Sequence, residues 1–224
     1  MRIGLIVAMD SEFRGLQACL GGLVKGRFPG SSADVVLRQC GIGKVNAAVG
    51  TVNLIKECHP DCIISTGLAG GIGETVDVWD AVVASETAYH DVWCGMGNRM
   101  GQVQGLPPRF ESYRPIVEKA LAVARGDESE VKFHEGLICT GDQFITSAEP
   151  VKKIRESFPD VLACDMESAA IAHVCHLMNV PFASIRIISD TPERVNDHAR
   201  QWEESLAVMS DRSFRIISGL LSKL

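Results

Sequence analysis

Apolar runs of strand length alternate with runs of helix length from one end of this chain to the other. Residues 2–8, 34–39, 62–66, 81–89, 132–140 and 182–189 read as strands, each a short apolar run bounded by turn formers. Residues 11–20, 43–58, 113–124, 148–157, 166–178 and 202–224 read as helices. In the last of them, Leu206, Met209, Ile216, Ile217, Leu220, Leu221 and Leu224 form one apolar stripe. Met166, Ala169, Ala170, Val174, Leu177 and Met178 do the same for the helix before it. Alternation of this kind restricts the chain to an α/β fold, with helices on both faces of a sheet. Ligands of open α/β sheets sit outside the carboxyl ends of the strands. Chemistry-bearing residues at strand ends therefore matter most.

With 224 residues, 46% of them apolar, residues 1–224 are expected to form a single domain around a substantial core. No repeat, low-complexity tract or linker interrupts them. A net charge of −6 argues against a nucleic-acid partner and leaves no polybasic segment for a membrane surface. Apolar runs of about seven residues are too short to span a bilayer. The N-terminus is charged and then apolar, with acids following at once and no small-residue cleavage site, so it reads as a first strand. The eight cysteines contain no C-x-x-C pair and mostly sit in apolar runs, which fits buried thiols and a cytoplasmic location. His173 and His176 lie one helical turn apart around Cys175, but no further ligand pair stands nearby. Polar helix positions describe them better than a metal site.

Two glycine-rich segments need weighing. Gly41-Ile42-Gly43-Lys44 fails the phosphate-loop pattern, because Arg38 stands where the first glycine belongs and Val45 follows the lysine. Residues 67–73 lack the G-x-G-x-x-G spacing of a dinucleotide site. They read as a tight turn after a strand ending at Thr66, whose Ala69 and Gly70 would let backbone approach a flat ligand closely. Residues 94–109 read as a long functional loop, and 25–32 as a hairpin turn.

Three acids stand at element ends: Glu12 after the first strand, Glu167 at the start of a helix, and Asp190 after the last strand. Singly, each has an ordinary explanation, as a first-turn helix acid or a turn starter. Together they point to a site that moves protons.

Several ordered motifs carry a resemblance. They are Ile3-Gly4-Leu5-Ile6-Val7-Ala8-Met9 followed by Glu12, Gly41-Ile42-Gly43-Lys44-Val45, Thr66-Gly67-Leu68-Ala69-Gly70-Gly71 and Tyr89-His90-Asp91. Gly141-Asp142-Gln143-Phe144-Ile145, residues 166–175 and Arg186-Ile187-Ile188-Ser189-Asp190 complete the set. In this order they resemble the 5′-methylthioadenosine/S-adenosylhomocysteine nucleosidases of the nucleoside phosphorylase superfamily, essentially end to end. The resemblance implies a three-layer α/β/α sandwich around a mixed, twisted sheet. It implies a homodimer that hydrolyses the N-glycosidic bond between adenine and a 5′-thio-substituted ribose. Asp190 would protonate adenine N7, and burial would help that acid hold its proton. Glu12 would deprotonate the attacking water, and Glu167 would hold the ribose hydroxyls. Met166 would pack on the ribose face, with Met9 and Ile42 along the ribose and 5′ side. Phe144 would stack on adenine and the Ile145 backbone would read the purine edge. Ser189 and Arg186 would position Asp190. Water is the nucleophile, so no metal or organic cofactor is expected.

The chain also departs from the family pattern. Leu68 replaces the usual serine, and Ser65 and Leu68 stand where phosphorylases of the superfamily keep an arginine and a serine for phosphate. Hydrolysis is thus preferred over phosphorolysis. Residues 92–100 diverge, and Trp202 takes the place of another aromatic; Trp93, Met96 and Trp202 suit a thioether tail, although Trp93 and Met96 also suit a dimer contact. Alternatives are a futalosine or aminodeoxyfutalosine hydrolase of menaquinone synthesis, a purine nucleoside phosphorylase, and a silent adenosine binder.

Overall fold

The computed structural model describes residues 1–124, 131–194, 200, 203–204 and 214–224. Its elements run β1 (Arg2–Val7), α1 (Asp10–Cys19), β2 (Lys25–Arg27), β3 (Asp34–Gln39), α2 (Lys44–Cys58), β4 (Cys62–Gly71), β5 (Ala81–Tyr89) and β6 (Phe110–Glu111). They continue with α3 (Arg114–Ala124), β7 (Phe133–Thr140), α4 (Ala148–Ser157), β8 (Val161–Asp165), α5 (Ser168–Leu177), β9 (Phe182–Asp190) and α6 (Arg215–Ser222). Trp202, Leu206 and Met209 lie outside the described residues.

The strands form one mixed sheet in the order β2-β3-β1-β4-β8-β7-β5-β6. Strand β9 pairs in parallel with β4 and antiparallel with β5, so β4, β8, β7, β5 and β9 close into a ring. Period-2 alternation sends side chains to opposite faces. Ile3, Leu5 and Val7 of β1 and Ala183, Ile185 and Ile187 of β9 pack with α1, α3 and α6. Ile6 of β1 and Phe182 of β9 belong to the opposite cluster, with α2 and α5. Helices thus cover both faces, as the alternation required. In α6, Ile216, Ile217, Leu220 and Leu221 are buried, each contributing roughly 1.5–3 kcal/mol on transfer from water.

The sheet departs from the sequence reading at three places. The segment 67–71 is not a turn: β4 runs through it to Gly71, in parallel register with β9 and with a shift between Ala69 and Gly70. Strand β8 is a short apolar run that periodicity alone does not separate from the start of a helix. The hairpin at 25–32 contains a strand of its own, β2, antiparallel to β3. The predicted helix 166–178 begins later, at Ser168, with Glu167 as its N-cap residue.

The topology opens the site. The first half of β4, Cys62–Ser65, pairs with β1, whereas Gly70 and Gly71 pair with β8. Between these pairings, residues 66–69 have β9 on one side and, among the described residues, no strand on the other. A backbone stretch without a strand partner must find other acceptors. Glu12 supplies one of them.

Candidate active site

Glu12 stands in the first turn of α1, where the chain leaves β1. Its Oε2 accepts the backbone N–H groups of Ala8 and Met9, both at 2.9 Å. The bond from Met9 is the reach-back half of a capping box, which a glutamate three residues into a helix makes readily. The other oxygen, Oε1, accepts the N–H of Leu68 at 3.0 Å, in the gap of β4. Three backbone donors replace the hydration that burial removes from a carboxylate only 1% exposed. Leu68 therefore gives Glu12 its amide, which any residue but proline would supply; the residue also lines the cavity and packs in the core.

Glu167 lies in the bend between β8 and α5 and is also buried. Its Oε1 accepts the N–H of Gly43 at 3.0 Å. The guanidinium of Arg186 lies 3.7 Å from its Oε2. Burial pushes the Glu167 carboxyl up to about 7; Arg186 and the Gly43 amide work against this, and Asp165 and Glu12 add repulsion.

Asp190 ends β9 and is 1% exposed. The Ser189 hydroxyl donates to its Oδ1 at 2.5 Å and also approaches the carbonyl of Ala69 at 3.3 Å. Asp190 pairs in register with Gly70, beyond the shift in β4.

These three carboxylates share one cavity of about 420 Å³. Met9, Ile42, Ala69, Gly70, Phe144, Ile145, Met166 and Ser189 line it as well. Phe144 and Ile42 are each 51% exposed, whereas Ile145 is buried. An exposed aromatic beside an apolar pocket presents a stacking face to a flat ligand.

Arg186 is the exception among the sequence-derived site residues. It does not line the cavity, and it does not hold Asp190. Four residues of strand separate the two, about 13 Å at the usual rise. The guanidinium instead pairs with Asp165 at 2.9 Å and Glu167 at 3.7 Å, and donates to Ser65 Oγ, the Thr66 carbonyl and Ser168 Oγ. Burial disfavours its charge, but Asp165, Glu167 and Glu12 more than offset this and raise its pKa. It thus braces the Glu12–Glu167 side of the site. Trp202 lies outside the described residues.

Sequence reasoning missed Asp165. Its carboxylate accepts Thr140 Oγ1 at 2.5 Å, the Ser168 N–H at 3.2 Å and a short bond from Ser168 Oγ, and it pairs with Arg186. An acid two residues before Glu167 was the available signal. Gln143 and Cys164 also line the cavity. His173 accepts or donates at Tyr89 OH at 3.0 Å and stacks on Phe110, so it packs as an ordinary polar helix residue.

Residues 2–222 match the model of the phosphorylase superfamily. A 5′-methylthioadenosine/S-adenosylhomocysteine nucleosidase of Actinobacillus succinogenes is 39% identical over the whole of both chains. The chain belongs to the 5′-methylthioadenosine/S-adenosylhomocysteine nucleosidase family. Solved members of this nucleosidase family share its shape. The crystal structure of the Neisseria meningitidis nucleosidase in complex with methylthio-immucillin-A superposes with a TM-score of 0.91 at 37% identity, covering 100% of this chain and 99% of that one. The Colwellia psychrerythraea nucleosidase in complex with adenine gives 0.90 at 35% identity, covering 100% and 96%.

Proposed function

We propose that this protein hydrolyses the N-glycosidic bond of 5′-methylthioadenosine and S-adenosylhomocysteine, releasing adenine and the 5′-thio-substituted ribose. The observation that carries this reading is the convergence of Glu12, Glu167 and Asp190 on one largely apolar cavity. The relatives' names supply the substrates.

The three acids take different roles because they face different partners. Adenine leaves poorly as an anion, so Asp190 protonates N7 and the base departs neutral. The Ser189 hydroxyl orients that carboxyl. Glu12, held by three backbone amides, takes a proton from water as the water attacks the anomeric carbon. Arg186 Nη1 reaches the same space beside Gly67 as Glu12 Oε1, and from outside the cavity it packs behind that carboxylate. Glu167 accepts the ribose hydroxyls, and its charge favours the cationic ribose of the transition state. Phe144 stacks on the base, Met166 and Met9 pack on the sugar, and Ile42 lines the 5′ side.

We further propose a cytoplasmic homodimer built from residues 1–224 as one domain. Val45 and Val49 lie one turn apart on α2 and are 75% and 56% exposed; Trp93 and Met96 are 64% and 96% exposed. The Lys44–Asp91 ion pair brings α2 and the start of the loop carrying Trp93 and Met96 together. An apolar surface of this kind supports a contact between copies. Among the described residues no helix is long and apolar enough to cross a membrane.

Adenine release from methylthioadenosine, in phosphate-free buffer and again with phosphate, tests the reaction. Phosphate-independent release with free methylthioribose is the expected result. Release only with phosphate, yielding the sugar 1-phosphate, would make the protein a phosphorylase. Release from futalosine-type nucleosides alone would reassign the substrate.

A further inference from the structure

Three separate segments meet beside the ribose end of the cavity without touching it. They are Gly43-Lys44 at the start of α2, Asp91 just past β5, and Asp142 just past β7. The N-cap residue of α2 is Gly43, which has no side chain to cap the helix. The cap comes from 98 residues away: Asp142 Oδ1 accepts the N–H of Lys44 at 2.8 Å. The backbone N–H of Asp142 in turn donates to Asp91 Oδ2 at 2.9 Å. The Lys44 ammonium closes the circuit, 2.8 and 2.7 Å from the two oxygens of Asp91 and 3.8 Å from Asp142 Oδ2.

The circuit is tight around the glycine. Gly43 has φ of 92°, and a Cβ there would stand 3.0 Å from Asp142 Oδ1. With the helix start fixed in this way, the Gly43 N–H points at Glu167. The first free amides of α2 thus divide between a carboxylate in the cavity and one in the clamp, a placement the helix dipole favours. On its other side, Asp142 leads directly into Gln143, Phe144 and Ile145, all of which line the cavity. Burial alone would raise the Asp91 carboxyl; the Lys44 bonds and the Asp142 amide hold it below its ordinary value.

We propose that Lys44, Asp91 and Asp142 form a positioning clamp that ties the base-stacking segment 143–145 to the Gly43–Glu167 contact, so that recognition of the ribose hydroxyls depends on residues that never touch the ligand. This rests on the nucleosidase reading of Glu167 and adds to it: ribose discrimination has its own positioning residues. Asp142 is their hub, because it holds the helix start with its side chain and Asp91 with its backbone.

The test compares methylthioadenosine with its 2′,3′-dideoxy counterpart in wild type, Asp142→Ala, Asp142→Asn and Asp91→Asn. In wild type, loss of the hydroxyls costs on the order of 10⁴-fold in kcat/KM, as expected for a site built to bind them. In Asp142→Ala that penalty shrinks by at least about tenfold, the coupling expected of groups in one network. Asp142→Asn keeps an acceptor for the Lys44 amide and restores most of the penalty; Asp91→Asn falls between. Equal losses on both substrates in every variant would make the clamp merely structural and overturn the proposal. A second readout does not need turnover. The Glu167 carboxyl carbon, followed by NMR through a pH titration, titrates higher in Asp142→Ala because its bond from Gly43 is loosened. An unchanged titration also overturns the clamp. Wild-type protein that leaves methylthioadenosine intact would instead overturn the nucleosidase reading, and the titration would still judge the clamp.

Discussion

Glu12 occupies space that Gly67 leaves open. A Cβ on Gly67 would stand 2.2 Å from Glu12 Oε1 and 2.7 Å from Arg186 Nη1. Gly67 also has φ of 142°, a conformation that side chains disfavour. Gly67→Ala therefore displaces Glu12, the proposed base, and its neighbouring cation together. Turnover falls by at least about 100-fold, in the range of losing a general base. Unfolding in urea shows a loss of roughly 1–3 kcal/mol from overpacking.

Leu68 separates the roles of backbone and side chain. Leu68→Ala keeps the N–H that Glu12 accepts. It removes a side chain that is only 7% exposed. Adenine release stays within about threefold of wild type, while stability drops by roughly 2–5 kcal/mol. A large loss of rate with little loss of stability would show that the side chain itself serves the chemistry.

Glu167 gives the protein a pH signature. An ordinary glutamate releases its proton near 4.5, whereas burial holds this one until about 7. Between these values the folded state binds more protons than the unfolded state, so stability falls as pH rises through the window. The favourable contribution is complete below about 4.5 and gone above about 7. Urea titrations at pH 5 and pH 8 show this decline in wild type, and Glu167→Gln loses this component of it. A pH dependence identical in the two proteins would contradict the assignment.

Glu12→Gln keeps the volume of the side chain and one acceptor oxygen for the Ala8 and Met9 amides, gives up the bond from Leu68, and removes the basicity. Binding of a substrate analogue, measured by calorimetry, changes little. Hydrolysis falls by ~10²–10⁴-fold, the usual contribution of a positioned base. Appreciable turnover would remove Glu12 from that role.

A charge on the exposed face of α2 tests the assembly. Val49→Glu places a carboxylate in the proposed contact and shifts sedimentation from dimer to monomer. A wild-type protein that sediments as a monomer would contradict the dimer.

Much of this architecture was legible in the sequence because its signals are local. Each long strand is a run of apolar residues; Glu12 and Asp190 stand at or just past the end of one, and Glu167 stands at the start of a helix. The errors have physical causes. Residues 67–71 look like a turn by composition, yet they pair as a strand, 67–70 with β9 and Gly71 with β8. Small residues are needed there because Glu12 and Arg186 crowd Gly67 and the Cys164 thiol approaches Gly70. The resemblance implies that Arg186 positions Asp190, but the two stand four positions apart along β9, which is a long distance on a strand. The partners of Arg186, Asp165 and Glu167, come from the other side of the sheet ring. The clamp was visible only as motif residues: Lys44, Asp91 and Asp142 are far apart in the chain, and nothing local says that they meet.

In the proposed reaction Asp190 delivers a proton to the departing adenine. Asp190→Asn, which keeps the shape and the Ser189 partner, tests it in one paired experiment: calorimetric binding of methylthioadenosine and adenine release by the same preparation. The variant is expected to bind the nucleoside with wild-type-like affinity, melt as the wild type does, and release adenine at least about 10²-fold more slowly. Release at the wild-type rate by a folded Asp190→Asn protein would contradict the account.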